Sequence, residues 1–79
     1  MKLPRNLDGE ELIRHLCRRW GYHRIHQVGS HVVLETSEPS CHRVVVPDHH
    51  PLRVGTLAAV LRAVAAHKGE SRDALIEGL

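Results

Sequence analysis

The segment Gln27-Val28-Gly29-Ser30-His31-Val32-Val33-Leu34, QVGSHVVL, sets a Gly-Ser pair between two strand-like runs and places a histidine directly after it. A two-residue loop with glycine first suits a type II′ turn, which needs positive φ at its first central residue. Read as a hairpin, the segment extends into strands over 22–28 and 31–37. Val28 then faces His31, Gln27 faces Val32, His26 faces Val33, Ile25 faces Leu34 and Arg24 faces Glu35. Ile25, Val32 and Leu34 share one sheet face, the core side. Arg24, His26, Val28, His31, Val33 and Glu35 share the other, with Arg24 and Glu35 as a favourable cross-strand pair. A slip of one residue would turn every side chain to the wrong face, so this agreement argues for the register.

Upstream, Asp8-Gly9-Glu10-Glu11 opens a helix. Asp8 as N-cap puts Glu11 at the capping-box position, and Leu7 and Leu12 occupy the two positions of a hydrophobic staple. Leu12, Ile13, Leu16, Cys17 and Trp20 recur at helical spacing as one apolar stripe, and Gly21 ends the helix. Downstream, Ser37-Glu38-Pro39-Ser40 is a turn and Cys41 to Val46 is a third strand that Pro47 ends. Asp48 to Leu52 is loop. Gly55-Thr56 leads into a second helix with Leu57, Val60, Leu61 and Val64 on its stripe. Gly69 closes it, and Ser71 caps a short last helix ending near Leu79.

This order makes the chain α+β: a two-layer α-β-β-β-α fold with the topology of double-stranded-RNA-binding domains and a short C-terminal helix. Each helix buries one stripe, so both cover the same sheet face and leave the other open. The 79 residues form a single domain over 1–79, with a core in 1–68 and a helical tail in 70–79. Trp20 and Tyr22 are the only aromatics, so the core is expected to be Leu, Val, Ile and Ala. A base-stacking platform for single-stranded RNA has almost nothing to work with.

The net charge of +2 does not by itself argue for nucleic acid. Its distribution says more. Arg14, Arg18, Arg19 and Arg24, with His15, His23, His26 and His31, fall in one window without a carboxylate. Cys17 and Cys41 form no C-x-x-C pair, and Cys17 reads as a small buried hydrophobe. No apolar run is long enough for a signal peptide or a membrane span, so the expectation is a soluble, cytoplasmic protein in a reducing compartment.

Eight histidines in such a short chain invite three readings. Metal binding is poorly served: His49-His50 are adjacent, and no H-E-x-x-H or Cys/His cluster with ligand spacing occurs. The plain reading of His15, His23, His50 and His67 is that they are polar side chains facing solvent. An acid–base role needs a histidine on rigid backbone, and His31 fits by position, beside a tight turn and on the open face. Gly29 and Ser30 present backbone N–H groups next to it that a phosphate could approach. Ser30 and His31 are strand neighbours pointing to opposite faces, so they are not a nucleophile–base pair. There is no G-x-S-x-G, Walker or G-x-G-x-x-G motif.

Five segments in order resemble the HicA (YcfA-like) family, small mRNA-interferase toxins of bacterial type II toxin–antitoxin pairs. These are Met1-Lys2-Leu3-Pro4-Arg5 before a helix with Glu11-Leu12-Ile13, then Gly21-Tyr22, Gln27-Val28-Gly29-Ser30-His31, Val44-Val45-Val46-Pro47-Asp48-His49, and Gly55-Thr56-Leu57 with Val60-Leu61-Arg62. The resemblance implies a double-stranded-RNA-binding-like fold, His31 as catalytic residue, ribosome-independent cleavage of mRNA, and a HicB-like antitoxin as partner. Many members carry Arg where this chain has His26, so a phosphate contact there would strengthen as pH falls. On this reading the chain is a metal-independent endoribonuclease without a cofactor, acting on mRNA, with no membrane or DNA contact. Arg24, His26, Gly29 and Ser30 would bind phosphate, and His26 or His49 would supply a second acid–base group. The alternative is a non-catalytic RNA-binding or antitoxin-binding module of the same fold.

Overall fold

A computed structural model describes residues 3–79. Met1 and Lys2 of the opening motif lie outside the described residues. Among these residues the order is α1 (Gly9–Arg19), β1 (His23–Val28), β2 (His31–Thr36), β3 (His42–Pro47), α2 (Val54–Lys68) and α3 (Arg72–Ile76). The strands form one antiparallel sheet in the order β1-β2-β3. The α+β reading holds in element order and topology. The molecule measures 31 × 30 × 19 Å, and the short dimension is one sheet plus one helix layer.

Helix α1 starts as its sequence dictates. The Asp8 N–H donates to Glu11 Oε1 at 3.3 Å, and the staple residues Leu7 and Leu12 are both buried. Gly21, at φ +72°, takes the left-handed conformation that ends the helix. At α3, Ser71 Oγ accepts the Ala74 N–H at 3.1 Å, the capping expected of a serine there. Leu12, Ile13 and Leu16 of α1, Val32 and Leu34 of β2, Val46 of β3, and Leu57, Leu61 and Val64 of α2 are almost wholly excluded from solvent. Leu75 and Ile76 of α3 belong to the same core.

The hairpin register matches expectation from the turn to His26 and departs beyond it. Val28 pairs with His31, Gln27 with Val32 and His26 with Val33. A β-bulge at Ile25 then shifts the ladder, so Arg24 pairs with Leu34 and His23 with Glu35. One extra residue reverses the alternation beyond it. Ile25 is therefore not a core residue; it is 43% exposed. Arg24 turns to the helix layer, where its Nη2 donates to Glu10 Oε1 at 2.6 Å and also contacts Oε2. The expected Arg24–Glu35 pair does not form. Glu35 accepts from Arg43 of β3 instead, at 2.7 Å.

Three further expectations are corrected. The core is not purely aliphatic: Tyr22, three residues past the end of α1 and directly before β1, is fully buried. Its hydroxyl hydrogen-bonds His42 Nδ1 at 2.9 Å, which satisfies the one polar atom that burial brings inside. His15 is buried rather than a surface residue. It lies one turn from Leu12 at the stripe edge, where α3 covers it and its Nε2 donates to the Leu75 carbonyl at 2.6 Å. His67 is not a free surface group either. Its ring stacks on His42 at 4.2 Å, and its Nε2 donates to the Ser40 carbonyl at 2.9 Å.

Candidate functional site

The sheet face away from the helices follows from the pairing. Val32, Leu34, Val44 and Val46 turn inward, so His31, Val33 and Glu35 of β2 and Arg43, Val45 and Pro47 of β3 turn outward. His26 and Val28 of β1 join them through their partners Val33 and His31. Val28 and Val45 are 61% and 49% exposed, so this face carries apolar surface as well as the histidines.

His31 stands at the first position of β2, exposed, with Val28 on one side and Pro47 on the other. The turn before it has Gly29 at φ +58°, while Ser30 is outside the positive-φ region, the pattern of a type II′ turn. Nothing lies within 4 Å of where a Gly29 Cβ would be. The backbone at the hairpin tip can therefore be approached closely from solvent. His26 lies on the same face, diagonal to His31, a separation of about 7–8 Å in a regular ladder.

Arg24 is not beside His31. It lies beyond the bulge on the helix side, and the Glu10 carboxylate raises its pKa above the usual guanidinium range. The residues the structure brings to the hairpin tip come instead from the segment after β3. The Asp48 N–H donates to the Ser30 carbonyl at 2.6 Å, and His49 Nε2 hydrogen-bonds Ser30 Oγ at 3.2 Å. The His49 carbonyl in turn accepts the Gly9 N–H at 2.9 Å, which ties this segment to the first residue of α1. His50 Nδ1 contacts Asp8 Oδ1. In the sequence, residues 48–52 read only as loop, which gives no sign that His49 meets the hairpin tip. The usable signals were Pro47, which ends the strand two residues before His49, and a glycine at the first helical position, where only close approach explains it. Among the described residues no three His, Cys, Asp or Glu side chains are grouped to hold a metal ion.

An exposed histidine beside a solvent-open turn, on a sheet face left uncovered by its helices, is the arrangement found. The family model described as "HicA toxin of bacterial toxin-antitoxin" matches residues 9–65, from the first residue of α1 to near the end of α2. The chain belongs to the HicA toxin family. It is thus a toxin of a toxin–antitoxin system, and an antitoxin partner is implied. The match includes His31, His26, Ser30 and His49 and stops before α3. No curated protein and no solved structure matches the chain. No helix among the described residues is long and apolar enough to cross a membrane.

Proposed function

We propose that this HicA-family chain is an endoribonuclease that cleaves mRNA, with His31 moving a proton in the reaction. RNA carries its own nucleophile in the 2′-OH. A histidine that takes that proton, or gives one to the leaving 5′ oxygen, can drive cleavage to a 2′,3′-cyclic phosphate and a 5′-hydroxyl without a cofactor. The observation that carries this reading is the exposed His31 beside the turn of the hairpin in a chain of this family. The Gly29 and Ser30 backbone and His26 would meet the phosphate, in the manner of preorganised donors. Arg24 could join them only by leaving Glu10. A HicB-like antitoxin would silence the toxin by covering the open face, since the opposite face is filled by the helices.

The test is incubation of the purified chain with a long unstructured RNA, with and without a HicB-like antitoxin, followed by analysis of the new termini. Cyclic phosphate and 5′-hydroxyl ends that the antitoxin suppresses are expected. An RNA that survives intact at micromolar protein would overturn the reading.

A further inference from the structure

Resting on the reading just given, we infer that His49 is the second acid–base group, held at the hairpin tip by Ser30 and by the start of α1. Cleavage by the 2′-OH is an in-line displacement. The O2′–P bond forms while the P–O5′ bond breaks, and these oxygens stand on opposite sides of phosphorus. One group removes the 2′-OH proton, and another supplies a proton to O5′ as it leaves. The two groups must therefore reach the phosphate from opposite sides.

His26 is poorly placed for this. It projects from the same flat sheet face as His31, one cross-strand pair away, so both rings address a phosphate from one side. His49 comes from the segment after β3, which is tied to the helix layer. Its carbonyl is bound to Gly9 at the start of α1, and its ring reaches the tip of the hairpin at Ser30, the residue before His31. A phosphate at the Gly29–Ser30 tip would thus have His31 on the sheet-face side and His49 on the helix side.

His49 is also fixed where it needs to be. Its main chain is held through Gly9 and, one residue earlier, through the Asp48–Ser30 hydrogen bond, while its side chain remains exposed to solvent. With Nε2–H donating to Ser30 Oγ, the ring exchanges its proton at Nδ1. In that tautomer the hydrogen bond to Ser30 is kept whether or not Nδ1 carries a proton. Ser30 is thus a positioning residue, which keeps Nδ1 as the proton-exchanging atom.

The experiment is single-turnover cleavage across pH, using wild type, His31→Gln, His26→Gln and His49→Gln. Glutamine keeps an Nε2–H for Ser30 but cannot titrate. Wild type should give a bell-shaped profile. His49→Gln should stay folded by thermal unfolding, lose one limb of the bell and fall by about 10²–10⁴-fold. His26→Gln should keep both limbs. An RNA with sulfur in place of the bridging 5′ oxygen assigns the roles, since a thiolate leaves without a proton. One and only one of the His31 and His49 variants should regain its rate on it. Ser30→Ala should slow cleavage less than His49→Gln, and Ser30→Thr should restore it. The inference is overturned if His49→Gln keeps both limbs at near wild-type rate, if it fails to fold, or if the lost limb belongs to His26→Gln. A wild type that leaves RNA uncut sinks the nuclease reading itself, a different result from a cleaving enzyme indifferent to His49.

Discussion

Gly9 lies so close to Pro47 that a Cβ built on it would stand 2.0 Å from the Pro47 carbonyl oxygen and 2.9 Å from the Asp48 Cα. Both contacts are backbone, so neither can rotate aside. Alanine in a helix is ordinarily better than glycine by about 0.5–1 kcal/mol. Here the clash decides the sign. Gly9→Ala is expected to lower stability by about 1–3 kcal/mol, the range for overpacking, and to push residues 47–49 away from the hairpin tip. Chemical denaturation measures the first effect. Amide chemical shifts of Asp48 and His49, whose N–H and carbonyl carry the bonds to Ser30 and Gly9, measure the second. An equally stable variant with unmoved shifts would show that α1 does not brace this segment.

His31 is exposed, so its removal leaves no core cavity. His31→Ala should change unfolding free energy by less than about 0.5 kcal/mol. Its cleavage rate should fall by about 10²–10⁴-fold, as for a positioned acid–base group. RNA affinity should drop little, because phosphate contacts dominate binding. Growth on induction and cleavage of a defined RNA, with binding measured alongside, check all three. Near wild-type cleavage would reduce His31 to a polar residue flanking a turn.

The tail is part of the fold. Leu75 is fully buried, and its carbonyl accepts from the buried His15 of α1. Leu75→Ala should therefore cost about 2–5 kcal/mol, although it lies outside the family match. Against a total of about 0.05–0.15 kcal/mol per residue, that is enough to bring a chain of 79 residues near unfolding. Urea denaturation reads it directly, and a loss under 1 kcal/mol would make the tail an appendage.

Burial, then the charges of His67 and Lys68, hold the His42 pKa below that of a free histidine. Neutral His42 also has Nδ1 free to accept the Tyr22 hydroxyl. The unfolded chain therefore binds a proton at this residue more readily than the folded one does. The sign follows: this stability is whole above about pH 6.5 and is lost as pH falls from there through the lowered folded value. The melting temperature of wild type should drop between about pH 7.5 and about pH 5 by more than that of His42→Gln. Parallel slopes for the two proteins would remove His42 as the source.

Local chemistry alone sufficed for the elements and the turn. Asp8 and Glu11 cap α1, glycines sit at positive φ where helix and hairpin turn back, and period-2 alternation selects the inward residues of β2 and β3. These signals act over a few residues, so they are written in consecutive letters. The position of His31 followed from them, because a two-residue loop fixes what stands next to it. What the sequence could not express was which distant groups meet. The bulge at Ile25 turns Arg24 to the opposite layer, where it meets Glu10 on another element. His15 is buried only because α3 returns across α1. His49 reaches Ser30 only because α1 packs its first glycine against the end of β3. Each is a contact between segments far apart in the chain, set by how the layers close on the core, and no local pattern carries that information.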